Sequence, residues 1–126
     1  MVNILVVDDE AELRQCLQMF LERQGCRVWT AATGQDALTL LQAHRPGILL
    51  LDLNLGRGSL SGIEVLRQGR AVSPETRVIV ISGAADEATK VEALALGAAR
   101  YLEKPHNVQQ VFSAVRDVAG EEPCAA

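Results

Sequence analysis

The chain has 126 residues, 48% hydrophobic and 22% charged, the size and balance of one soluble globular domain rather than of a disordered chain. A formal net charge of -4 argues against the basic footprint of a nucleic-acid-binding domain, and no apolar run approaches the ~18 residues that a membrane span needs. Aromatic residues are only 3%, which leaves Leu, Val, Ile and Ala to build the core.

Taken in chain order, the sequence alternates between two hydrophobic periods. Ile4-Leu5-Val6-Val7 is a continuous apolar run, read as a strand buried on both faces, and it breaks off at Asp8-Asp9-Glu10. Leu13, Cys16, Leu17, Phe20 and Leu21 recur at helical spacing, with Glu12, Arg14, Gln18 and Glu22 on the polar side. Gly25 is placed to end that helix. Val28-Trp29-Thr30 is a weaker strand candidate, and Ala37, Leu38 and Leu41 mark a second helix with Thr33 as its N-cap. Ile48-Leu49-Leu50-Leu51 is the next buried run and ends at Asp52; Ile63 and Leu66 mark a short third helix. Val78-Ile79-Val80-Ile81 ends at Ser82-Gly83, and Ala88, Val91, Leu94 and Ala95 form a fourth helix closed by Gly97. Arg100-Tyr101-Leu102 is a short strand candidate leading to Lys104-Pro105. A fifth helix carries Val108, Val111, Phe112, Val115 and Ala119, with Asn107 near its start.

Five βα units in succession predict an α/β sandwich with a parallel sheet and right-handed crossovers. One domain is expected over residues 1–120, followed by a disordered tail at 121–126. The N-terminus has neither the basic start nor the cleavage pattern of a signal peptide, and Cys16, Cys26 and Cys124 are odd in number without metal-like spacing. Reduced thiols and a cytoplasmic location are the expectation.

In an open parallel sheet, ligands bind beyond the carboxyl ends of the strands. The first strand delivers Asp8 and Asp9 there, the third Asp52, the fourth Ser82 and the fifth Lys104. Each alone has a plain structural explanation: acids at a helix N-terminus, a turn-forming Asp, a Ser-Gly turn, a solvated lysine before proline. Their arrival on one edge is what points to a site. Three crowded carboxylates repel one another and call for a hard divalent cation with oxygen ligands; Mg²⁺ suits a few carboxylates plus waters and a phosphate oxygen. A carboxylate beside that cation can attack a phosphoryl donor, with Lys104 and the cation balancing the charge on the group in transfer.

The runs ending in Asp8-Asp9-Glu10, in Asp52-Leu53 and in Ser82-Gly83, together with Gly97-Ala98-Ala99-Arg100-Tyr101-Leu102-Glu103-Lys104-Pro105, resemble the CheY-like receiver domain of two-component response regulators. The resemblance covers about residues 3–119. It implies a flavodoxin-like (βα)5 three-layer sandwich with a five-stranded parallel sheet of order 2-1-3-4-5, an order the family is known for. It also implies that Asp52 is the phosphoacceptor, that Asp8, Asp9, Asp52 and the backbone carbonyl of Asn54 hold Mg²⁺, and that Ser82 and Lys104 meet the phosphoryl oxygens. Ser82 and Tyr101 would be the switch residues. The implied partners are a sensor histidine kinase or histidine phosphotransfer protein, and a downstream protein or output domain docking on helix 4, strand 5 and helix 5, where a second copy would also fit. Direct nucleic-acid or membrane binding is not expected, nor is enzyme activity beyond assisting its own phosphorylation and dephosphorylation.

Some positions depart from that pattern. Gly56 stands four residues after Asp52 where family members commonly have Pro, and the Gly that opens helix 3, about eight residues after the acceptor in the family, comes ten after it here as Gly62, so the loop from Leu55 to Ser61 is two residues longer. Two other readings compete. A Mg²⁺-dependent phosphohydrolase with an Asp nucleophile usually carries a second acid two residues on, where this chain has Asn54. A pseudo-receiver typically loses an acid or the lysine, and all are retained. His44 and His106 read as helix-end and loop histidines, and no Walker-type glycine loop is present.

Overall fold

Apolar runs that must be covered on both faces belong at the centre of a parallel sheet, with half-buried strands at its edges. The computed structural model, which describes residues 2–55, 60–83, 87–103 and 107–119, has this arrangement. In chain order the elements are β1 (Asn3–Val7), α1 (Ala11–Arg23), β2 (Arg27–Ala31), α2 (Gly34–His44), β3 (Ile48–Asp52), α3 (Gly62–Val72), β4 (Arg77–Ser82), α4 (Glu87–Ala95), β5 (Arg100–Glu103) and α5 (Val108–Ala119). The strands form one parallel sheet of order β2-β1-β3-β4-β5. The flavodoxin-like expectation holds, and the two weak strand candidates are the two edges. All five residues of β3 are buried, whereas β5 has none that is fully so.

Strand side chains alternate faces, so one sheet supplies two cores. Ile4, Val6, Ile48, Leu50, Ile79 and Ile81 pack with Leu17 and Leu21 of α1 and with Val111, Ala114, Val115 and Val118 of α5. Leu5, Val7, Leu49, Leu51, Val78 and Val80 pack on the other face with α2, α3 and α4, chiefly through Ala37, Leu41, Val65, Leu66 and Ala93. Full burial of each such Leu, Ile or Val is worth ~1.5–3 kcal/mol against exposure, so the bilateral core dominates the stability.

Local chemistry sets the helix ends. Thr33 Oγ1 accepts from Asp36 N at 3.2 Å, the expected cap. Ser61 caps α3 in the same way, its Oγ accepting from Glu64 N at 3.2 Å. Asn107 and Gln110 cap α5 reciprocally, each side chain accepting from the other's backbone N–H at 2.8 Å. Gly25 and Gly97 both have positive φ, at 91° and 104°, and the amides beyond them, Cys26 N and Ala98 N, return to Leu21 O and Ala93 O. That is the left-handed glycine ending that the sequence predicted for α1 and α4.

Cys16 is a free, exposed thiol, and Cys26 is buried. No helix among the described residues is long and apolar enough to cross a membrane. The expected tail at 121–126, including Cys124, lies outside the described residues, as do His106 and positions 56–59 of the longer loop.

Candidate functional site

Register brings the acids together. Val7 pairs with Leu51, so the next residues, Asp8 and Asp52, come level where β1 and β3 end. Asp52 pairs with Ile81, which puts Ser82 one step further along β4. The ladder continues just past the strands, with Asp8 N donating to Ala31 O and Leu53 N to Ile81 O, both at 3.2 Å. A polar residue at each of these positions therefore faces the same strand-end edge, because the apolar runs before them are locked in parallel.

One oxygen from each of Asp8, Asp9 and Asp52 lies within 4.8 Å of the others. Asp8 and Asp52 are buried, at 4% and 2% exposure, and Asp9 is exposed. Asp52 Oδ1 accepts from Asn54 N at 2.9 Å, and Asp8 Oδ1 accepts from Glu10 N at 2.8 Å. Each buried carboxylate is thus held by the amide two residues on, in the turn that carries the chain off its strand. The donor set is all oxygen and anionic, which fits a hard divalent cation such as Mg²⁺ and not a soft one.

Ser82 is also buried, and its Oγ has no hydrogen-bond partner among the described residues. A buried hydroxyl left unpaired costs ~1–3 kcal/mol, and such groups recur where an acceptor arrives from outside. Tyr101 sits half-buried on β5 with Lys90 Nζ of α4 5.6 Å from its ring centre, between the strand and helix that the sequence expectation named. Lys104 follows β5 but lies outside the described residues. Asn54 is exposed on the turn after Asp52.

Arg14 was missed by the sequence reading, which counted it with the polar face of α1. Its guanidinium instead reaches back to donate to the Asp8 carbonyl at 2.7 Å. The available signal was a cation four residues beyond a run of three acids.

A (βα)5 sandwich with a carboxylate cluster at the strand ends defines the class as a flavodoxin-like domain with an acidic site. The chain belongs to the response regulator receiver domain family, whose model matches residues 4–116. It is 38% identical over 116 residues to the KDP operon transcriptional regulatory protein KdpE of Escherichia coli K12, covering 92% of this chain and 50% of that one. The chain spans about half the length of the curated relatives it matches. Among solved structures, a CheY-like receiver domain protein from Methanospirillum hungatei JF-1 superposes with a TM-score of 0.90 at 26% identity, over 97% of this chain and 96% of that one. A response regulator protein from Burkholderia pseudomallei, solved with a phosphorylated aspartic acid, calcium ion and citrate, superposes with a TM-score of 0.84 at 33% identity, over 95% and 70%.

Proposed function

We propose that this domain accepts a phosphoryl group on Asp52 from a histidine kinase or histidine phosphotransfer protein, and that the resulting charge switches a partner-binding face. The observation that carries the reading is the buried Asp52 carboxylate within an oxygen cluster at the strand ends. Asp8, Asp9, Asp52 and the Asn54 carbonyl would hold Mg²⁺, which when bound supplies positive charge beside the oxygens of the transferring group. A relative with a phosphorylated aspartic acid and a calcium ion is consistent with that pairing of carboxylate, phosphoryl group and hard cation.

Asp52 is suited to act as nucleophile because Asn54 N holds Oδ1 and thereby orients the carboxylate. One carboxylate oxygen attacks phosphorus, the donor's bond to phosphorus breaks, and an acyl phosphate forms. Lys104 would balance the new charge on one side. Ser82, whose hydroxyl is buried and has no partner among the described residues, would donate to a phosphoryl oxygen on the other. The acyl phosphate is open to water attack, so the same site would assist its own dephosphorylation.

The switch would run from Ser82 to β5, whose Glu103 pairs with it, and on to Tyr101 and α4. Tyr has an apolar ring and a polar tip, so it can sit inward or outward at modest cost. The output face would be α4, β5 and α5. Val91 and Leu94 are 58% and 45% exposed on α4, and a groove of about 380 Å³ runs between β5 and α5 beside Tyr101, Gln110 and Ser113. A downstream protein, an output domain or a second copy of the chain would dock there.

The test is incubation with a small phosphodonor and Mg²⁺, followed by intact mass. One acid-stable, base-labile phosphoryl group is expected on the native chain and none on Asp52→Ala. Undiminished labelling of Asp52→Ala would overturn the assignment.

A further inference from the structure

We propose that Arg14 is a positioning residue for the carboxylate cluster, holding Asp8 and Asp9 in the arrangement that binds a divalent cation; the inference rests on the reading of that cluster as a Mg²⁺ site. Asp8 is fixed through every polar group of its main chain. Its N–H is held by Ala31 O of β2 at 3.2 Å, and its carbonyl accepts from Arg14 of α1 at 2.7 Å. The peptide from Asp8 to Asp9 is planar, so pinning the carbonyl fixes the orientation of the whole unit and the direction in which the chain enters Asp9.

Asp9 is the exposed member of the cluster, and the Asp8 side chain is already tied to Glu10 N. The Asp8 carboxylate can therefore stay where it is if the Arg14 bond is lost, while the peptide that places Asp9 becomes free to rotate. Arg14 is itself well placed to act as the anchor. It lies in the first turn of α1, with its own N–H on Glu10 O at 3.0 Å, and its side chain is half-buried. Bonds from a guanidinium are charge-assisted and stronger than neutral ones. Partners that orient metal ligands, without touching the metal, typically carry ten- to a hundredfold of affinity.

The opposite outcome has a physical basis too, which makes the test sharp. A guanidinium near a cation site repels the incoming cation. If charge were its only influence, removing Arg14 would tighten Mg²⁺ binding; if it positions Asp9, removal weakens it. The experiment is calorimetric titration of Mg²⁺ into the full chain and into Arg14→Met, Arg14→Gln and Arg14→Lys, with thermal unfolding of each measured in chelator. Arg14→Met, which keeps the stem and loses the donor, should bind Mg²⁺ about tenfold more weakly, and Arg14→Lys should recover most of the loss. Arg14→Gln gives the same comparison should the Met variant fail to fold. A neutral variant that is folded in chelator and binds Mg²⁺ as tightly as the native chain, or more tightly, overturns the proposal alone. A native chain that does not bind Mg²⁺ overturns the metal-site reading, and this inference with it.

Discussion

Gly62 shows how a single position can be fixed by backbone geometry rather than by its own chemistry. A Cβ at that position would fall 2.4 Å from Leu53 Cα and 2.6 Å from Leu53 O, on the segment that leaves Asp52. Backbone cannot step aside as a flexible side chain can. Gly62→Ala should therefore cost about 1–3 kcal/mol as overpacking, although Ala is the better helix former by ~1 kcal/mol. Urea unfolding measures it, and a neutral or stabilised variant would show that α3 can retreat from Leu53 freely. Ser82→Ala has the reverse sign. Its Oγ is buried without a partner among the described residues, so its removal should leave stability unchanged or raise it by up to about 1 kcal/mol. Phosphoryl uptake from the same donor should slow. A thermal-unfolding loss well beyond 1 kcal/mol would mean that the hydroxyl already has a structural role. The sequence made the acids and Ser82 legible because each ends an apolar run, but it showed Gly62 only as a helix opener and Arg14 only as surface. A close approach and a bond back to a carbonyl are relations across space, and no periodicity records them.

Among the elements, the buried strands were the most legible and the edges the least. β1, β3 and β4 bury both faces and so read as unbroken apolar runs, whereas β2 and β5 mix Trp29, Thr30, Tyr101 and Leu102 with charged neighbours because a half-buried edge tolerates them. No cap for α3 was read from the sequence, even though Ser61-Gly62-Ile63-Glu64 has the capping-box spacing. Burial separates the helices further. α5 buries Val111, Ala114, Val115 and Val118, while α4 buries only Ala93 and exposes Val91 and Leu94. An element with one small anchor sits at the low-stability end of its domain. Amide hydrogen exchange should then find α4 opening well before α1 and α5. Equal protection of α4 and α5 would contradict the view that α4 is the element most easily moved.

The whole molecule joins a deeply buried part to a lightly packed one. Two cores share one sheet, and that sheet locks Asp52 and Ser82 into adjacent strands, so neither can shift far without disturbing the ladder. The less buried elements lie on the β5 side, where Tyr101 is half-buried under Lys90 and α4 buries only Ala93. A phosphoryl group on Asp52 would act on this as a population shift, drawing the Ser82 hydroxyl toward it and favouring one of two settings of Tyr101 and α4. The most direct test is the amide NMR spectrum of the chain with Mg²⁺, before and after addition of a beryllofluoride phosphoryl mimic. The account predicts shifts at Asp52 and Ser82 that continue through Tyr101 into α4, and none in Asp52→Ala. Shifts confined to the residues around Asp52, with Ser82, Tyr101 and α4 unchanged, would contradict it.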